Sequence, residues 1–135
     1  MITECRLLEI DSYEDERGGL SVLEENVNVP FVLKRLYYLY NTKVNQVRGV
    51  HAHKKLEQVI IAFSGKFKII LDDGKEKKIF TLDQPNIGLY VSPGIWREVY
   101  PLEENGVCAV LASRKYEEED YIHDYDDFLM YSKSL

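Results

Sequence analysis

The chain reads as a mainly β protein: a β-sandwich or β-barrel of about ten short strands, closed by one short C-terminal helix. Three observations predict this. Short runs rich in β-branched and aromatic residues recur along the chain. Gly, Pro and Asp-Gly punctuate them as turn signals. Only beyond Lys115 does the apolar spacing change to a helical one.

In order, residues 5–10 (CRLLEI) form a first strand. Residues 11–19 are polar, acidic and closed by Gly18-Gly19, which predicts a turn or loop. Residues 20–24 are a short strand, and residues 26–31 bend at Pro30. Residues 32–40 (VLKRLYYLY) are a strong strand. Its parity puts Lys34, Leu36, Tyr38 and Tyr40 on one face, and Arg35, Tyr37 and Leu39 on the other. After a loop, residues 47–53, 57–63 and 66–72 are strands. Asp73-Gly74 predicts a two-residue hairpin that returns along residues 76–82. Residues 86–92, 95–100 and 107–113 complete the strands. In the tail, Glu117 to Asp120 stand where a helix N-terminus favours acids, and Tyr121, Ile122, Tyr125, Phe128 and Leu129 follow at helical spacing.

At 135 residues the chain fits a single domain spanning 1–135. A net charge of -6 argues against nucleic-acid or anionic-membrane partners, while leaving room for a small anion held by local arginines. Cys5 and Cys108 lack metal or redox spacing and read as core thiols, which fits a reducing cytoplasm. No stretch is long and apolar enough for a membrane span, and the N-terminus lacks a basic start followed by an apolar core. The ten tyrosines suit strands and sheet-lined pockets.

Chemistry concentrates in Arg48-Gly49-Val50-His51-Ala52-His53-Lys54-Lys55-Leu56-Glu57-Gln58. On a strand, His51 and His53 project to one face, as metal ligands or as proton movers. The spacing His51-x-His53-x-x-x-Glu57 is similar to the first motif of the cupin superfamily, whose metal-binding members add a later histidine after a Pro-containing turn. Here Ser92-Pro93-Gly94 leads to Trp96 and Arg97, and neither ligates a metal. The pair therefore suits acid/base work near a histidine's ordinary pKa of about 6.5. Glu57 reads as a structural carboxylate that orients an Arg or His. His123 reads as a surface or helix-packing residue.

Several segments together resemble the cupin-type nucleotide-sugar 3,4-ketoisomerases, which act on dTDP-4-keto-6-deoxy-D-glucose. They are Pro30-Phe31 with Lys34-Arg35-Leu36-Tyr37-Tyr38, the histidine stretch, Leu71-Asp72-Asp73-Gly74, Gly88-Leu89-Tyr90-Val91 with Trp96, Val110-Leu111-Ala112-Ser113, and Asp120-Tyr121-Ile122 with Tyr125-Asp126. The resemblance implies a cupin-like jelly roll and an isomerase without cofactor or metal. The keto group would move from C4 to C3 through an enediol, in biosynthesis of 3-amino-3,6-dideoxy sugars of surface polysaccharide. It implies His51 as base/acid, His53 as its partner or orienter, and Tyr37 as a proton relay. Arg17, Arg35, Arg48 and Lys54 are candidates for the diphosphate, with Gln58, Trp96 and Arg97 around the sugar. It further implies a homodimer with exchanged N-terminal strands. The rival functions are a nucleotide-sugar 3,5-epimerase and a non-catalytic sugar-nucleotide-binding cupin.

Overall fold

The computed structural model describes residues 2–135. Twelve strands follow in order: β1 Arg6–Glu9, β2 Ser12–Asp15, β3 Gly18–Ser21, β4 Arg35–Leu39, β5 Arg48–His53 and β6 Gln58–Ser64. They continue with β7 Phe67–Asp72, β8 Lys77–Leu82, β9 Ile87–Val91, β10 Trp96–Pro101, β11 Val107–Ala112 and β12 Tyr121–Ile122. One α-helix, α1 Tyr125–Lys133, ends the chain.

Ten strands build two five-stranded sheets, ordered β1-β9-β6-β11-β4 and β12-β5-β10-β7-β8. The expected mainly β, cupin-like sandwich is what forms, although the sheets face each other without closing into a barrel. Apolar side chains from both inner faces fill the space between them, among them Ile60, Phe67, Ile69, Leu71, Leu89 and Val99. Burial of such side chains contributes about 1.5–3 kcal/mol each before chain entropy is subtracted. Two smaller apolar clusters cover the outer faces. Val29 and Phe31 lie over one sheet, against Val59 and Ile61. Phe128 of α1 lies over the other, against Ala52, Trp96 and Ile122.

Three local expectations are corrected. Residues 11–19 are not simply a loop. They include β2, which pairs with β3 in a separate exposed hairpin turning at Glu16-Arg17. A mostly polar strand that faces water on both sides leaves no apolar alternation to read. The β7–β8 connection is four residues long, because Asp72 pairs with Lys77. There the Asp73 carboxylate accepts from the amides of Lys75 and Glu76, and this Asx-type closure takes the place of a two-residue turn. The tail is not one helix from Glu117. Residues 118–120 form a 3-10 turn, Tyr121 and Ile122 add β12 to the edge of β5, and α1 starts only after its N-cap Asp124 accepts from the Asp127 amide.

Candidate active site

The site lies between the sheets, at the side where β4 faces β5 and β12. Alternation along β4 behaves as expected: Arg35, Tyr37 and Leu39 turn inward, while Leu36 and Tyr38 are exposed. On β10, Arg97 and Val99 point inward, while Trp96 and Glu98 point to the outer face. Arg97 pairs directly with His51 of β5, and Val99 pairs with Arg48. The register therefore slips by one residue, and Gly49 accommodates the resulting bulge at φ +62. A Cβ at Gly49 would sit 3.3 Å from Arg97 Nη2, so the glycine also makes room for the guanidinium.

These residues enclose a cavity of about 340 Å³ lined by Arg35, Tyr37, Arg48, His51, Arg97 and Tyr121, with Cys108 and Val110 at its apolar floor. Arg97 is only 2% exposed. Its Nη2 donates to Tyr37 Oη at 2.8 Å and to His51 Nε2 at 3.2 Å. A guanidinium cannot accept, so His51 Nε2 carries its lone pair and the ring proton is on Nδ1. Gln58 Nε2 also donates to Tyr37 Oη, at 3.1 Å. With two donors on its oxygen, Tyr37 has its own O–H left to give. Arg35 Nη2 donates to Tyr121 Oη at 3.2 Å, and the Arg35 guanidinium lies 5.2 Å from the Tyr37 ring centre. Tyr121 packs against both histidines, 4.9 Å from the His51 ring centre and 4.4 Å from that of His53. The two imidazoles meet edge to face at 4.6 Å.

Burial, then the Arg97 charge, then His123 and Arg35 hold His51 down to about 3. Burial, then Arg97, His51, Arg35 and His123 hold His53 at about 2. Both imidazoles are therefore neutral, which corrects the expectation of a pair titrating near 6.5. The lone pairs are available for proton uptake, and the cations alone supply positive charge. Burial pushes the Cys108 thiol up to about 12, so it is an inert wall. Several buried polar atoms have no partner: Arg97 Nε and Nη1, Arg35 Nε, Gln58 Oε1 and His53 Nε2. Unsatisfied donors at and just behind a cavity lined by cations are what a hydroxylated, anionic ligand would complete.

Among the residues singled out from sequence, His51, Tyr37, Arg35, Arg48 and Arg97 line the cavity. His53 and Gln58 stand directly behind it, through Tyr121 and Tyr37. Three do not converge there. Trp96 is buried on the opposite face of β10, against Tyr125 and Phe128, with its Nε1 donating to Glu98. Strand parity forbids it from sharing a face with Arg97. Lys54 follows the end of β5 and borders a separate groove with His123 and Asp127. Arg17 sits at the tip of the β2–β3 hairpin, paired with Asp15 at 2.5 Å in open water. Glu57 orients neither an arginine nor a histidine, because it accepts from the Tyr90 hydroxyl at 2.6 Å.

Sequence reasoning missed Tyr121 and Asp120. Asp120 is buried, and its two carboxylate oxygens accept from the amides of Lys55 and Leu56, tying the tail to the end of β5. Reading Tyr121-Ile122 as a two-residue strand, ahead of a helix start signalled by Asp124, would have found the first.

A family model described as FdtA, WxcM-like, C-terminal matches residues 3–133. A curated protein of Aneurinibacillus thermoaerophilus, named TDP-4-oxo-6-deoxy-alpha-D-glucose-3,4-oxoisomerase, is 46% identical over 128 residues, covering 95% of this chain and 92% of its own. The crystal structure of a 3,4-ketoisomerase from Helicobacter canadensis superposes with a TM-score of 0.93 at 43% identity, covering 96% of this chain and 98% of the other. The H51N mutant of the 3,4-ketoisomerase QdtA from Thermoanaerobacterium thermosaccharolyticum, in complex with TDP-4-keto-6-deoxyglucose, gives a TM-score of 0.95 at 38% identity, covering 99% and 97%.

Proposed function

This chain belongs to the FdtA, WxcM-like C-terminal family, and on that premise we propose how its cavity works as a TDP-sugar 3,4-ketoisomerase. The enzyme moves the keto group of a TDP-linked 4-keto-6-deoxyglucose from C4 to C3. The observation that carries the residue roles is the single buried guanidinium of Arg97, bonded to both Tyr37 Oη and His51 Nε2.

His51 is the base. Its Nε2 lone pair, released as the Arg97 Nη2 donor turns to the substrate oxygen, takes the C3 proton, which the neighbouring ketone acidifies, and the C–H electrons form the C3–C4 double bond of an enediolate. Arg97 stabilises the developing oxyanion, as a preorganised cation in a water-poor site does. Tyr37 exchanges its hydroxyl proton between the C3 and C4 oxygens. Returning the proton to C4 leaves the ketone at C3, with no net gain or loss of protons. A base held at about 3 is weak toward a carbon acid. The substrate's diphosphate supplies the remedy, since its negative charge offsets Arg35 and Arg97 and raises the proton affinity of His51. His53 meets His51 edge to face and fixes its orientation. Arg35 and Arg48 receive the diphosphate, and no metal or cofactor takes part.

The protein acts as a homodimer, but the first strand expected to exchange, β1, pairs with β9 of its own chain, which leaves the β2–β3 hairpin as the segment that crosses to the partner. Support comes from the β2–β3 hairpin, every residue of which is exposed, including Tyr13 at 66% and Leu20 at 59%. In the dimer, Arg17 reaches the partner's cavity. Two buried free thiols suit a cytoplasmic site of action.

The test is NMR of the product formed from TDP-4-keto-6-deoxyglucose in heavy water, with chelator present. A ketone at C3, with the solvent deuterium carried at C4, is expected. A ketone retained at C4 with deuterium at C3 and C5 means epimerisation. TDP binding without turnover means a non-catalytic cupin.

A further inference from the structure

The third histidine is not a bystander. His123 lies outside the cavity wall, with its ring stacked on Tyr121 at 5.5 Å and 13°. Its ring centre is 6.2 Å from that of the base His51. Its Nε2 is 2.8 Å from Glu118 Oε1, and the other oxygen of Glu118 accepts from the Tyr116 hydroxyl. Tyr116 and then His123 hold the Glu118 carboxyl below its ordinary range. A carboxylate thus fixes an imidazole whose ring centre lies 6.2 Å from that of the base. The charge of that imidazole is set at the water's edge, where His123 and Glu118 are both 59% exposed at the side chain.

Resting on the reading of His51 as the base, we propose that His123 and Glu118 form a charge-setting dyad that tunes how readily His51 takes a proton. Among the described residues, no carboxylate pairs with His51 or His53. The charged groups nearest His51 inside the cavity are the cations Arg97 and Arg35. His123, when protonated, adds a further cation, and Glu118 is its counter-charge. Other groups facing His123 are Tyr121 from β12, His51 from β5, Lys54 beyond the end of β5, and Asp124, Asp127 and Tyr131 around α1. Lys54, Asp124 and Asp127 share the groove beside His123, and the carboxylate bonded to the imidazole is that of Glu118. His123 is a positioning residue and touches no reacting atom.

Two variants separate this role from a merely structural one, because they act with opposite sign. His123→Gln removes a positive charge about 6 Å from His51, and Glu118→Gln removes the negative charge that offsets it. At an effective dielectric between that of water and that of a protein surface, one unit charge at this range shifts a neighbour's titration by about 0.5–1 pH unit. The measurement is the NMR titration of the His51 ring in the TDP complex of the full chain, paired with the acid limb of kcat/KM. His123→Gln is expected to move both upward by about that amount, and Glu118→Gln to move both downward. Shifts of the same sign, or none in folded variants, overturn the proposal. The ring titration requires no turnover, so an inactive wild type would count against the ketoisomerase reading without deciding this one.

Discussion

Two antiparallel strand pairs of this molecule each carry an arginine, and they treat it in opposite ways. In the β5–β10 ladder Arg97 is 2% exposed, bonded to Tyr37 and His51, and left with two unpartnered nitrogens. In the β2–β3 hairpin the Arg17 side chain is 84% exposed and already satisfied by Asp15. The difference teaches how to find a site from packing. A buried cation with spare donors is strained toward a ligand, since removing it from water cost free energy that its present bonds only partly return. An exposed ion pair makes no such demand.

The comparison can be stressed most severely with acid. His51 and His53 bind protons near 6.5 when unfolded, and only at about 3 and about 2 when folded. Between these limits the unfolded chain holds more protons. Stability is therefore fully present above about pH 6.5 and declines as the pH falls toward 3, by up to ~2.7 kcal/mol per pH unit for two protons. Urea melts at a series of pH values measure this, and a His51→Asn/His53→Asn double variant should flatten the slope. Next in size is Arg97→Met. It should lower kcat by about 10²–10³-fold, as loss of an oxyanion-stabilising donor does, while the protein stays as stable or becomes more so, because no uncompensated charge remains buried. Steady-state kinetics beside a thermal melt would check both halves.

Gly49→Ala is a smaller insult to the same ladder. The left-handed backbone costs roughly 1–2 kcal/mol for an L side chain, and the added methyl also presses on Arg97 Nη2. Gly18→Ala in the hairpin meets nothing within 4 Å and suffers the backbone strain alone. Both melts should fall, and only Gly49→Ala should also lower activity, through the push on the guanidinium. The smallest effect belongs to Arg17→Ala. The melting midpoint should not move, because both partners of its ion pair stay in water. Its kcat/KM should fall by about three- to tenfold through the exchanged arm, about what one charge-assisted hydrogen bond contributes. A dimer by light scattering with unchanged kinetics would remove Arg17 from the substrate's surroundings.

The ladder was legible in the sequence, and the hairpin and tail were not. Period-two alternation put His51 with His53 and Arg35 with Tyr37, and the structure keeps both pairings. Trp96 was misplaced because an aromatic next to Arg97 looks like a sugar platform until strand parity is enforced. The strand β2 carries no alternating burial to detect. In the tail, helical spacing of Tyr121 and Ile122 with Tyr125 masked a two-residue strand, whose presence depends on Asp120 capping backbone amides 64 and 65 residues earlier. The low proton affinity of the histidines was equally invisible, because it arises from enclosure and from Arg97, which approaches across the sheet from a distant part of the chain.

The bulge at Gly49 also bears on which lengths of chain the protein tolerates. In an unbroken ladder, Arg48 and His51 would lie on opposite faces, three positions apart. The extra residue lets Arg48 sit opposite Val99 while His51 sits opposite Arg97, so both line the same cavity. A further residue inserted between them would break that parity and rotate one of the two out of the cavity, whereas deleting one would leave both on the same face, two positions apart, but without the bulge that makes room for Arg97. Insertions at residues 43–46, beyond the buried Thr42, leave that count untouched. An inserted residue should therefore be tolerated there and prohibited at positions 49 and 50.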